Sequence, residues 1–248
     1  MAMISTAPTL RLLHLTFDLP IYPRQLSQWR GAFIAMGGWE NDLFHNHNGD
    51  EAFFHRYPLV QYRVMDGKAG IFAIGEAVEA LQAILTDNEW EIQWQGKPRG
   101  LRIEHLQMDT HHLRMLEQPK TYQGFDWLAL NQKSYEKWRQ CKNLAERAVL
   151  LENILSNQIQ CFLEVMGWLP PEPLEVNLQQ VNHMQQVKSF GNAMIAFNIT
   201  YEANVFLPPF IGLGRSASLG FGWQAPLRDA DSSQEPRKRL RVRRANQG

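Results

Sequence analysis

Eleven residues near the end of the chain restrict its fold more than any other stretch: Gly212-Leu213-Gly214-Arg215-Ser216-Ala217-Ser218-Leu219-Gly220-Phe221-Gly222. Two Gly-x-Gly pairs flank five residues that include an arginine. Glycine at this density lets the backbone take left-handed conformations and approach other groups without a Cβ in the way. Backbone N–H groups turned outward by such a loop, with a cation among them, suit a phosphate. The simpler reading is a glycine-rich turn between two core elements. The pattern argues against a dinucleotide fingerprint. G-x-G-x-x-G needs glycine where Ala217 stands, and too little chain follows for a βαβ unit.

The rest of the chain reads as alternating strands and helices. Thr9 to Phe17 alternates loosely and ends before Pro20, as a first strand does. A helix follows, with Pro23 in its first turn and Gly37-Gly38 at its end; Leu26, Trp29, Phe33 and Met36 supply its buried face. Asn41 to Asp50 has the composition of a loop. Tyr57–Val64 and Lys68–Ile74 form two strands across Asp66-Gly67, a strong hairpin signal. A second helix starts near Gly75 and buries Val78, Leu81 and Leu85. A strand pair around Trp90–Trp94 and Leu101–Met108 closes a β-α-β-β-α-β unit, the ferredoxin-like (RRM-like) arrangement.

The second half repeats this plan more roughly. Asp109 to Gln123 is expected to be the crossing, and Phe125–Leu130 a strand. One long helix is expected from about Ser134 to Met166, stopped by Gly167 and Pro170-Pro171. Two strands follow, with Leu174, Val176 and Leu178 on one face of the first and Ala193 to Tyr201 alternating in the second. A short helical element after Pro208-Pro209 leads into the glycine loop, and Phe221–Leu227 forms the last strand. The fold class expected is α+β, two ferredoxin-like domains in tandem. Residues 1–110 form the first and 111–228 the second.

The glycine loop resembles that of the Cas6 family, the CRISPR RNA-processing endoribonucleases, and of the wider repeat-associated RNA-binding superfamily. That pattern has a hydrophobic residue inside each Gly pair (Leu213, Phe221) and a basic residue between the pairs (Arg215). Trp29-Arg30-Gly31-Ala32-Phe33 is also similar to the first-helix region of the superfamily, and two ferredoxin-like domains in tandem match its architecture. The resemblance spans residues from about 9 to 227. It implies binding and metal-independent cleavage of CRISPR repeat RNA (pre-crRNA), by 2′-OH attack leaving a 2′,3′-cyclic phosphate, to give mature guide RNA. The alternative it equally allows is a guide-RNA-binding subunit of an interference complex that cuts nothing. Other CRISPR-associated proteins are further partners it implies.

Charge alone does not lead to RNA. Lys plus Arg and Asp plus Glu are 25 each. Residues 229–248 hold six basic and three acidic residues, which leaves 19 basic and 22 acidic in the first 228, a net of −3. The basic tail (RKRLRVRR) lacks helical periodicity and is expected to be disordered in isolation, either as a solvated tail or as an RNA-contacting arm. No run of about 18 apolar residues suggests a membrane span. The N-terminus lacks the pattern of a signal peptide, and Cys141 and Cys161 suggest no disulfide framework. A cytoplasmic protein is expected.

Metal-free RNA cleavage needs a base for the 2′-hydroxyl, a donor for the crowded phosphate and an acid for the 5′-oxygen. Histidine suits both proton roles. Family members that cut generally carry a histidine in or just after the first helix. Here that helix has none, and the nearest are His45 and His47 in the loop after it. His47 is the first catalytic candidate and His45 the second, with Tyr57, Arg56 and Lys68 around the phosphate. His55 is close behind. Exposed loop histidines without a role are the competing reading. RNA contacts are expected from Gly212, Gly214, Arg215, Gly220, Gly222 and Lys188, and Trp223 offers a ring for base stacking. The adjacent letters His45-Asn46-His47 do not make an HNH nuclease, whose motif is spread over a ββα-metal fold. His45, His47 and His55 lack the nearby cysteines of a structural zinc site. No metal and no cofactor is invoked. His14, among leucines, is expected to be a satisfied core residue.

Overall fold

The computed structural model describes residues 6–38, 42–44, 57–87, 90–189 and 191–227. The first half begins with β1 (Thr9–Pro20). A 3₁₀ turn (Pro23–Gln25), α1 (Leu26–Phe33) and a π turn (Ile34–Gly38) follow. Next come β2 (Val60–Met65) and β3 (Lys68–Ile74), joined across Asp66 and Gly67, both at positive φ (51° and 76°). That is the type I′ geometry the dipeptide favours. α2 (Ala77–Asp87), β4 (Glu91–Trp94), β5 (Lys97–Gly100) and β6 (Ile103–His112) complete the unit. The sheet order β2-β3-β1-β6, all antiparallel, is the ferredoxin-like order.

The second half has β7 (Met115–Trp127), α3 (Gln132–Gln140), α4 (Leu144–Val165), β8 (Val176–Ser189), β9 (Asn192–Val205) and β10 (Trp223–Pro226). Its sheet order, β10-β7-β9-β8, repeats the pattern of the first. The fold is therefore two ferredoxin-like units in tandem, and the buried residues of both belong to one continuous core.

Each sheet has a helix-covered face. In the first, Leu13, Leu15 and Phe17 of β1 are buried on one face, and Phe17 points at α1. The Phe17 ring lies 5.3 Å from Trp29 and 6.1 Å from Phe33, and all three are fully buried. In the second, α4 lays Leu151, Leu155, Ile159 and Phe162 on the sheet at three- and four-residue steps. Trp127 on β7 reaches back to it, donating from Nε1 to Oε1 of Gln158 at 2.7 Å.

Four expectations from the sequence are corrected. Residues 101–108 do not pair with 90–94. Instead β4 pairs with β5 across Gln95-Gly96, both at positive φ, and β6 joins β1 in the main sheet. The crossing is not Asp109–Gln123 but only Leu113-Arg114; the strands flanking it extend to His112 and from Met115. These strands are polar because β6 is an edge strand exposed along most of its length, so no apolar alternation marks it. The expected long helix is two helices. Asn143 is extended (φ −146°, ψ 173°) and its side chain accepts from the N–H of Glu146 at 2.9 Å, which caps a new helix. Finally, no helix separates Pro208-Pro209 from the glycine loop. The only helical turn there is Ala217–Leu219, inside the loop, and it stands where a second helix belongs.

Candidate nucleic-acid interface

The glycine loop is wedged between the two halves. The 217–219 turn packs against β2 and α1 of the first half, and the loop's other side meets β7 and α4 of the second. Glycine is required by contact as well as by φ. A Cβ on Gly222 (φ +69°) overlaps the carbonyl oxygen of Leu213. On Gly214 (φ +86°) it comes within 3.0 Å of both Leu128 O and Trp127 Nε1, and on Gly220 (φ +78°) within 3.2 Å of Tyr62 O. Leu213, Ala217, Ser218 and Leu219 are buried, so the residues between the glycines anchor the loop.

Much of the loop's backbone is already bonded. The Gly212 N–H donates to Gln61 Oε1 (3.1 Å), Leu213 to Gly222 O (2.8 Å), Arg215 to Leu128 O (3.1 Å) and Gly220 to Ala217 O (3.1 Å). The first of these spans the halves. The loop's main chain thus fixes the joint, and what it offers outward is the side chain of Arg215, which is exposed.

Lys188 lies at the tip of β8, one residue from a contact with the glycine loop. Its neighbour Ser189 lies 2.8 Å, Oγ to Oγ, from Ser216, the residue after Arg215. Both cations, 27 residues apart in sequence, are exposed, and because Lys188 alternates with Ser189 along β8 its side chain leaves the strand on the face opposite the Ser189–Ser216 contact. Lys68, by contrast, lies at the start of β3 in an ion pair with Glu104. Tyr57 sits at the joint, its ring 5.0 Å from Phe162 of α4 and its hydroxyl accepting from Gln61 Nε2 at 3.1 Å. Gly212 is also a neighbour of that hydroxyl. Burial drives its pKa far above the ordinary tyrosine range, so the group is a donor and not a base at neutral pH. His45, His47, His55 and Arg56 lie outside the described residues, as does the tail. The described residues on either side of that histidine segment are Phe44, whose ring is 6.2 Å from Phe33 of α1, and Tyr57.

Residues that sequence reasoning did not place in the site line the joint. Arg63 is 7 % exposed, with its guanidinium over the Phe72 ring (4.7 Å). It donates to Gln61 Oε1 and to the backbone carbonyl of Phe210 across the halves. Burial lowers its pKa to about 10, against the opposing pull of Tyr57. His14 is buried but faces away from its leucine neighbours. Its ring lies 4.5 Å from Phe72 and 5.2 Å, edge-on, from Phe210. Burial first, and then the Arg63 charge, depress its pKa to about 4, so it is neutral at physiological pH. Beside the 217–219 turn, the Tyr62 hydroxyl and the Nε atoms of Arg30 and Arg63 are buried with no hydrogen-bond partner among the described residues. The alternation of β2, with Gln61 and Arg63 on the face opposite Val60 and Tyr62, was the available signal for the buried arginine.

Comparison with known proteins settles the family. A sequence model of the Cas6b N-terminal domain matches residues 8–112, and one of the Cas6b C-terminal domain matches residues 114–226. The chain belongs to the Cas6b family. A crystal structure of Cas6b superposes with a TM-score of 0.76 at 24 % identity, over 89 % of this chain and all of that one. A second, described as the CRISPR RNA processing endoribonuclease Cas6b, gives 0.67 at 21 % over the same shares. Csf5, a type IV Cas6 crRNA endonuclease, gives 0.52 at 13 %. An uncharacterized protein of Methanocaldococcus jannaschii is 31 % identical over 96 residues, 39 % of this chain, and the match spans 64 % of that protein. The Cas6b domain matches divide at Leu113, inside the two-residue connection between β6 and β7. No helix among the described residues is long and apolar enough to cross a membrane.

Proposed function

We propose that this Cas6b-family chain binds CRISPR repeat RNA and cuts it to release guide RNA, as a metal-independent endoribonuclease. The observation that carries the reading is the position of Tyr57. It follows directly on the segment holding His45 and His47, and its ring and hydroxyl lie against Phe162, Gln61 and Gly212. Tyr57, the first described residue after the imidazoles, therefore lies against Gly212 of the loop that carries Arg215, which supports this reading.

The chemistry then runs as a transesterification. One imidazole, His47 before His45, takes the 2′-hydroxyl proton. The 2′-oxygen forms a bond to the adjacent phosphorus as the bond from phosphorus to the 5′-oxygen breaks. The other imidazole, protonated, gives its proton to that leaving oxygen. Products are a 2′,3′-cyclic phosphate and a 5′-hydroxyl. Tyr57, held protonated by burial, donates to a phosphate oxygen, and Arg56 supplies positive charge next to it. Arg215 and Lys188 hold backbone phosphates, with the glycines at 212, 214, 220 and 222 setting the loop that presents Arg215. Lys68 joins only by exchanging Glu104 for phosphate. Other CRISPR-associated proteins are partners for the product complex.

The test is a cleavage assay on the repeat RNA in EDTA. The parent protein is expected to cut. Replacing His45 and His47 together by alanine is expected to lower the rate by about 10²–10⁴-fold per proton role while leaving RNA binding intact. Equal cutting by the double variant removes these histidines from the site. Binding without cutting by the parent protein identifies a guide-RNA holder instead.

A further inference from the structure

Three aromatic rings line up across neighbouring strands at the edge of the second sheet. Phe125 on β7 pairs in register with Trp223 on β10, and their rings stack 4.1 Å apart at 16°. The next ring is Phe210. Its segment pairs with β10 through the Gly212–Trp223 bridge and a 2.7 Å bond from the Phe210 N–H to Gln224 O. The Phe210 ring lies 6.0 Å from that of Trp223 at 23°. The row is open to solvent: Phe125 and Trp223 are half-buried and Phe210 is 43 % exposed.

Stacked aromatic pairs on adjacent strands stabilise a sheet by themselves, and that accounts for Phe125 with Trp223. It does not account for Phe210. Its φ is +69°, a left-handed conformation that a bulky side chain rarely adopts. The conformation is held from both sides, by the bond to Gln224 and by the buried Arg63 that donates to the Phe210 carbonyl. A ring needed only to fill the core has no reason to be held this way and left 43 % exposed. Backbone strain of this kind collects at sites that contact ligands.

We infer that Phe210, Trp223 and Phe125 form a stacking platform for unpaired bases of the bound RNA. This rests on the RNA-binding reading above and adds where, and by what contact, single-stranded nucleotides are held. RNA is favoured over an apolar protein partner on two counts. The patch is a stack of nearly parallel rings, and a base, which presents a π-face of its own, can continue such a stack. The strand that carries Trp223 is bracketed in sequence by Arg215 and by the basic run from Arg237 to Arg244, which attract a polyanion.

The experiment uses the full chain and the repeat RNA of the array nearest its gene, with 2-aminopurine placed in turn at each unpaired position. Binding to the parent protein is expected to quench one or two of these positions. Phe210→Gly and Trp223→Leu are each expected to weaken binding about tenfold and to remove the quenching, whereas Trp223→Phe keeps it. Phe210→Gly is expected to melt within a few degrees of the parent, because glycine accepts the left-handed backbone. An abasic nucleotide at the quenched position is expected to weaken the parent about tenfold and the Phe210→Gly variant not at all. If the parent binds the RNA with no quenching, or loses nothing with any abasic RNA, the platform is overturned and the RNA reading stands. If the parent binds neither the repeat nor a scrambled single strand, the RNA reading falls and the platform with it.

Discussion

The two halves of this molecule share one plan and differ at one step. Between its third and fourth sheet strands the first half has α2, whose Val78, Leu81 and Ile84 are buried against the sheet. At the same step the second half has residues 206–222, with a single three-residue turn and four glycines. A helix satisfies its own backbone and presents only side chains to its neighbours. The glycine loop instead brings its backbone into contact, with Gly220 against Tyr62 O and the Gly212 N–H on Gln61. Giving up a helix thus turns an ordinary connection into the joint that locks the halves. The cost is sensitivity, because backbone contacts at 3 Å leave no room for a side chain.

The sharpest test of this contrast is Gly222→Ala. The Cβ overlaps Leu213 O in a left-handed conformation, so a destabilisation of about 3 kcal/mol or more is expected, seen as a fall of roughly 6–12 °C in thermal melting. The matching change at the corresponding step of the first half, Gly75→Ala, meets open space at φ +60° and is expected to cost only about 1–2 kcal/mol. Equal losses at the two sites would break the comparison.

Next in size is a pH effect at the joint. His14 in the unfolded chain titrates near its ordinary 6.5, whereas the folded protein holds it near 4. Between those values the unfolded chain binds a proton that the folded one does not. Stability is therefore complete above about pH 6.5 and falls as pH drops, by about 3 kcal/mol at pH 4. Asp109 works against the shift, and His105 and His111 add to it. Urea melts from pH 7 to pH 4 should show this slope, and His14→Leu should flatten it. An unchanged slope in that variant places the acid sensitivity elsewhere. The smallest effect is Gly31→Ala, in α1 with nothing within 4 Å, where a gain of about 0.5–1 kcal/mol is expected from the same melts. A loss there would show that the first helix, too, depends on close backbone approach.

How much of this the sequence disclosed depended on whether a residue's role was local. Asp66-Gly67 specifies its own turn, and the Leu26, Trp29, Phe33 spacing specifies a helix face, so both were legible. The second-half helix was legible as apolar periodicity but not as two helices, because the cap at Asn143 interrupts the backbone without interrupting the pattern. β6 was misplaced because an edge strand with an exposed polar surface has no two-residue rhythm to read. Arg215 and Lys188 were nameable singly, but the approach of the β8 tip to the glycine loop rests on Ser189 and Ser216, which no local pattern links. Arg63 was passed over in the sequence reading. Only the arrival of Phe210 from 147 residues away makes it a buried cation.

That separation has a consequence for synthesis. The face bearing Gln61, Arg63 and Phe72 is met by residues 206–222, so on the ribosome it lacks its cover until most of the protein has been made. At about 5–20 residues per second, the gap between Arg63 and Phe210 lasts roughly 7–30 s. For that interval the nascent first half displays a bare cation beside aromatic rings, a surface that a chaperone, or an RNA met too early, is free to occupy.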